Sequence, residues 1–198
     1  MQYRILLSRF LLILALSLGI VGRAWAEDIV IMNATLYGSK DSNAPGLYLN
    51  MDVEFDLPKT VEDTLTRGIP LYFITEFRLD QHRWYWVDKT IEKNELMSRL
   101  SFSPLTRQYR LSRGGLSQSF DSLKDALSVL KTIHYWFVSS DANFQAPSSF
   151  EAEIRMRLDT EQLPLPMMVG IGDAEWKLDS GWQTIRVDES TFQSEQRK

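Results

Sequence analysis

Leu47-Tyr48-Leu49-Asn50-Met51-Asp52-Val53-Glu54-Phe55-Asp56-Leu57 decides the fold. Its apolar residues fall on every odd position and its polar ones, with Tyr48, on every even position. Alternate side chains of a strand point to opposite faces, so the stretch is a strand with one face buried and one wet. Phe150, Ala152, Ile154, Met156 and Leu158 repeat the device against Glu151, Glu153, Arg155, Arg157 and Asp159. Clean alternation is the mark of antiparallel sheets, because parallel strands are buried on both faces.

Outward from these two stretches, other strand candidates are weaker. Leu71 to Leu79 carries Leu71, Phe73, Phe77 and Leu79, and Trp84 to Ile91 follows the polar break Asp80-Gln81-His82-Arg83, which has hairpin-loop length. Ile29–Tyr37, Leu96–Phe102, Gln108–Ser112, Tyr135–Val138, Ala174–Leu178 and Trp182–Val187 complete the set. Two helices interrupt it. Pro58 opens the first, Glu62 and Asp63 suit its positive end, Val61 and Leu65 face inward, and Gly68 and Pro70 stop it. The second carries Phe120, Leu123, Ala126, Leu127, Leu130 and Ile133 at helical spacing, with Ser119 or Asp121 as cap and Gly114-Gly115 breaking the chain before it. The expectation is one α+β domain: a mainly antiparallel sheet of seven to nine strands, curved or sandwich-like, with two helices, the longer packed on the sheet.

The first 26 residues read as an address. Arg4 and Arg9 precede the uncharged run Phe10–Gly22, which ends at Ala24-Trp25-Ala26, a small-x-small cleavage pattern. A secretory signal cleaved after Ala26 is expected, in a bacterial periplasmic protein. The alternative is an inner-membrane anchor over residues 5–22, but that run is short of the ~20 residues a span needs and contains Arg9. The expected organisation is signal peptide 1–26, a single β-rich domain 27–188 and a polar tail 189–198.

Residues 1–26 hold three arginines and no acids, so removing them takes the net charge from −4 to −7. An acidic domain gains nothing from counterion release, which disfavours nucleic acid as a partner. Membrane contact is expected only through the signal segment, if it is retained. The chain has no cysteine, which removes thiol catalysis and cysteine-based metal sites. His82 and His134 are the only histidines and stand far apart, so no metal is expected. His82 reads as a loop residue, and His134 as a helix-terminal or half-buried one. No Gly-x-Ser-x-Gly elbow is present. Gly170-Ile171-Gly172 lacks the lysine and helix of a phosphate loop. The pairs Asp52/Glu54 and Glu151/Glu153 allow a hydrolase of the two-carboxylate kind, yet each interleaves with a full apolar set and reads as a solvated sheet face. No cofactor is implied.

Trp84-Tyr85-Trp86 puts aromatic bulk on both faces of its strand. Such a strand is either buried twice or offers a binding platform, and Tyr72 and Tyr48 extend the patch if they share its face.

Arg67-Gly68-Ile69-Pro70-Leu71, Arg107-Gln108-Tyr109-Arg110-Leu111, Phe120–Leu127 and Trp176-x-Leu178-x-Ser180-x-Trp182 occur in this order along the chain. In these stretches the sequence resembles domain-of-unknown-function family 4390, uncharacterised exported proteobacterial proteins. The resemblance implies export, no established activity and no catalytic residue; members tend to be encoded near a membrane sensor kinase, which implies an envelope-signalling link. The expected function is a non-enzymatic accessory or interaction module with an envelope protein partner. The alternatives are a carrier of a small apolar ligand or lipid, held between sheet and helix, and the hydrolase.

Overall fold

The structure, a computed structural model, describes residues 29–39, 45–81, 89–140, 150–164 and 176–185. Among the described residues nine strands run in the order β1 (Val30–Ser39), β2 (Gly46–Glu54), β3 (Leu71–Gln81), β4 (Lys89–Ser103), β5 (Gln108–Arg113), β6 (Leu116–Phe120), β7 (Thr132–Ser139), β8 (Phe150–Leu158) and β9 (Gln183–Ile185). Helix α1 (Lys59–Thr66) lies between β2 and β3, and α2 (Leu123–Leu130) between β6 and β7. One sheet has the order β1-β2-β7 and the other β6-β5-β4-β3-β8-β9, with every pairing antiparallel. The architecture is therefore α+β, dominated by antiparallel sheet that does not close into a barrel.

The alternation read from sequence becomes the core. Leu47, Leu49, Met51 and Val53 of β2 face Phe73, Phe77 and Leu79 of β3 and Ala152, Ile154 and Met156 of β8, all buried. Rings join the sheets: Phe55 meets Phe73 at 5.5 Å and Phe77 meets Trp136 at 6.4 Å between centroids. Each large apolar side chain so buried contributes about 1.5–3 kcal/mol. Among the described residues no helix is long and apolar enough to cross a membrane.

Helix α1 ends as its sequence predicts. Gly68 adopts φ +88, and its N–H reaches the Leu65 carbonyl at 2.9 Å while Ile69 N–H reaches that of Thr64 at 3.3 Å. This is a Schellman closure, and it accounts for Arg67-Gly68-Ile69. Helix α2 is capped by Ser122, whose Oγ accepts from Asp125 N at 3.1 Å, rather than by Ser119 or Asp121. Ala126 and Leu130 are buried and Leu123 and Leu127 pack on the core. The apolar stripe does not stay helical throughout. Phe120 closes β6 and Ile133 lies in β7, and both helices run eight residues.

Two further departures have physical causes. Gly114-Gly115 is a hairpin turn, with φ +55 and +82 at its two central residues and Arg113 paired with Leu116. That is the all-positive geometry glycine makes accessible, and it creates β6. The candidates 84–91 and 96–102 merge, from Lys89 onward, into the single strand β4; residues 84–88 of the first lie outside the described set. Polar Glu92 and Asn94 hid the continuity. Glu92 accepts from Ser139 Oγ at 3.2 Å and Asn94 Nδ2 donates to the Val138 carbonyl at 3.4 Å, so these positions meet β7 through polar contacts.

Candidate interaction surface

The outward face of the three-stranded sheet carries Tyr37 on β1, Tyr48 on β2, and Tyr135 and Phe137 on β7. Tyr37 pairs directly with Tyr48, and Tyr48 with Phe137, across the strands. Tyr37 stacks on Tyr48 at 5.8 Å, Tyr135 meets Tyr37 edge-on at 6.4 Å, and Phe137 meets Tyr48 edge-on at 5.6 Å. Tyr135 is 75% exposed and Phe137 43% exposed. Such contacts contribute about 0.5–1.5 kcal/mol each, yet they leave apolar ring surface in water.

A bulge sets this arrangement. His134 and Tyr135 together oppose Asn50, and Tyr135 adopts φ +55, a conformation uncommon for a bulky residue. Asn50 Oδ1 accepts from Tyr135 N at 2.9 Å, which holds the kink. Strict alternation from Trp136 and Val138 would aim His134 into the core; the extra residue turns it outward beside Tyr135. His134 is thus exposed on a strand, not helix-terminal or half-buried, with Nε2 4.0 Å from Asp52 Oδ1. Gly46 completes the frame: a Cβ there would lie 2.5 Å from the Ser139 carbonyl and 2.6 Å from the Phe137 ring. Burial raises the Tyr37 phenol above its ordinary value, with Tyr135 and Tyr48 adding to the shift, and among the described residues its hydroxyl has no hydrogen-bond partner.

The sequence pointed to a different aromatic group. Trp84, Tyr85 and Trp86 lie outside the described residues, as does His82. Tyr72 lies on the outward face of the six-stranded sheet, where Arg99 Nε donates to its hydroxyl at 3.2 Å and the guanidinium covers its ring. Tyr48 belongs to the other sheet, so Tyr72 and Tyr48 share no face.

The carboxylate pairs are engaged in surface pairing. Glu54 pairs with Lys131, Glu153 with Arg78, and Glu151 accepts from Thr184 Oγ1 at 3.2 Å. Around β3 and β8, Arg78, Arg155 and Arg157 interleave with Glu76, Asp80, Glu153, Asp159 and Asp179. Arg155 grips Asp179 through two nitrogens and holds its carboxyl below the ordinary range; burial opposes, and the Gly181 N–H assists. Ser180 Oγ accepts from Met156 N at 2.9 Å, and Trp182 lies over Arg78 and Arg155. With Trp176 and Leu178 buried, the Trp176-to-Trp182 stretch is a clasp on β8. Among the described residues no three metal-ligating side chains converge.

A groove of about 680 Å³ opens between α2 and the bulged start of β1, lined by Met32, Val53, Leu123 and Leu127 together with charges of both signs, Lys124 and Lys131 beside Asp52, Glu54 and Asp56.

The family model for DUF4390, a domain of unknown function, matches residues 26–186. No curated protein and no solved structure matches the chain. The matched range takes in both sheets, both helices and the β8 clasp, and the chain therefore belongs to the DUF4390 family.

Proposed function

We propose that this chain is an exported, non-enzymatic interaction module of the bacterial envelope, and that the Tyr37–Tyr48–Tyr135–Phe137 face docks a partner protein. The observation that carries the reading is the exposed pair Tyr135 and Phe137, presented by a strained bulge. Solvent-facing aromatics on a rigid sheet are the residues from which interaction hot spots are made. Strain kept at a surface position, where a regular strand would cost less, is a reason to look for function there. The signal-like residues 1–26 supply the address. An extended apolar or proline-rich segment fits a row of rings on a flat sheet.

The test is capture from envelope extract with wild type and with the Tyr135→Ala/Phe137→Ala double variant. The expected result is one protein retained by wild type and lost by the variant, which stays folded with a stability lowered by about 1–3 kcal/mol for its two lost ring contacts. Equal capture by both proteins, or none by either, defeats the reading. Mass spectrometry of the mature N-terminus tests the address: a chain beginning at Glu27 is expected, and an intact Met1 in the membrane fraction contradicts cleavage.

The α2 groove favours a second reading, a carrier for a small apolar ligand seated against Met32, Val53, Leu123 and Leu127. Native mass spectrometry of the protein from its host is expected to show co-purified ligand under this reading; clean apoprotein counts against it.

A further inference from the structure

We infer that β6 is a self-association edge, through which two copies of this chain join their six-stranded sheets. A free sheet edge is normally guarded by charge, proline, a bulge or a covering element. The other described edges are so guarded. β1 is bulged at Met32 and lies against β9, which has three residues. β7 is bulged twice and leans on β4 through Asn94. β6, Leu116-Ser117-Gln118-Ser119-Phe120, has no charge, no proline and no register shift, and its first four residues are exposed. Among the described residues nothing pairs with its outer side.

The sequence of β6 reads nearly the same in both directions about Gln118, so a two-fold axis there sets like against like, serine opposite serine and Leu116 opposite Phe120. Arg113 and Leu116 close a two-residue hairpin, so they form a hydrogen-bonded pair, as do Leu111 and Gln118. The backbone groups of Ser117 and Ser119 therefore point away from β5, toward the open edge. With the axis at Gln118, Ser117 of one copy meets Ser119 of the other, twice, and each meeting exchanges two N–H···O bonds. The same register sets Leu116, 80% exposed, beside Phe120 of the second copy, in the close non-hydrogen-bonded spacing. Leu116 also lines a groove of about 350 Å³ with Leu111, Gln118 and Val129, which the second copy would cover. No like charges oppose each other along the strand.

Five residues make a small interface, so the dissociation constant should lie at about 10 μM to 1 mM. Sedimentation velocity on the purified full chain across that range is the test. Wild type should pass from monomer to dimer as concentration rises. Gln118→Lys and Gln118→Glu each set like charges across the axis and should weaken self-association about threefold to tenfold, while an equimolar mixture of the two should dimerise more tightly than either alone. Gln118 is exposed, so both variants keep the fold. Ser119→Pro removes an N–H that serves only the edge, and should leave a folded monomer. Wild type monomeric at 1 mM overturns the inference. So does a dimer whose affinity ignores all three substitutions, because it must then use another surface.

Discussion

Arg113 offers the sharpest test of how this fold is held. It sits on β5, part-buried, and among the described residues no carboxylate pairs with it. Its NH2 donates to the Leu130 carbonyl and NH1 to the Thr132 carbonyl, each at 2.7 Å, and Nε donates to Ser98 Oγ at 2.8 Å. One guanidinium thus closes the C-terminus of α2, ties β7 to β5 and satisfies a buried serine. Arg113→Met keeps the bulk and strands three acceptors. Each orphan costs about 1–3 kcal/mol, less where water can enter, and relief from burying the cation offsets part of the sum. A net loss of about 3 kcal/mol is expected. With a urea slope of about 2 kcal/mol per molar, the midpoint should fall by about 1.5 M. Arg113→Lys keeps the charge but has no planar fork, and should lose about 2 kcal/mol. Urea titration followed by tryptophan fluorescence reads both, since the chain has six tryptophans. Burial pushes the Arg113 pKa down to about 10, so it stays charged in the folded and unfolded chain below that pH. The cost of Arg113→Met should therefore be flat from pH 5 to about 9. A loss under about 0.5 kcal/mol would refute the reasoning, because desolvation relief would then cancel the hydrogen bonds.

Asp179, held below its ordinary value by Arg155, contributes stability that is present above the unfolded value of 3.8 and lost as pH falls through the lower folded value. Asp179→Asn should cost about 1 kcal/mol at pH 7 and shallow the acid limb of the stability curve, as read by denaturation from pH 7 to 2. Gly46→Ala should cost about 2–4 kcal/mol in Tm-derived stability, since its φ of +146 and the 2.5 Å approach to the Ser139 carbonyl leave no room for a Cβ. Asn50→Ala strands the Tyr135 N–H, and should lower stability by about 1 kcal/mol and speed amide exchange at Tyr135. Ser122→Ala removes the α2 cap and should cost about 1 kcal/mol by the same titration.

Much of the architecture was legible in the residues themselves. The period-two runs Leu47–Leu57 and Phe150–Leu158 reported both that they are strands and which faces are buried, because a pleated backbone converts alternation directly into sidedness. The end of α1 was legible because glycine and proline act locally. The candidate surface was not. Tyr37, Tyr48 and Phe137 are ordinary alternating residues, far apart in the chain, and nothing local distinguishes them from lining for a second layer. One signal was available: Tyr135 and Phe137 flank Trp136, the same aromatic alternation that singled out Trp84–Trp86.

By itself the sequence determined what is local: strand period, the end of α1, net acidity and a signal-like start. Tertiary structure alone decided what is relational. It set which strands neighbour one another, that β4 runs unbroken past Glu92 and Asn94, and that a bulge opposite Asn50 turns His134 and Tyr135 outward. The reason is physical. Periodicity is a property of a single strand, whereas register, bulges and the partners of Arg113 arise only when residues distant in sequence compete for the same hydrogen bonds and the same volume.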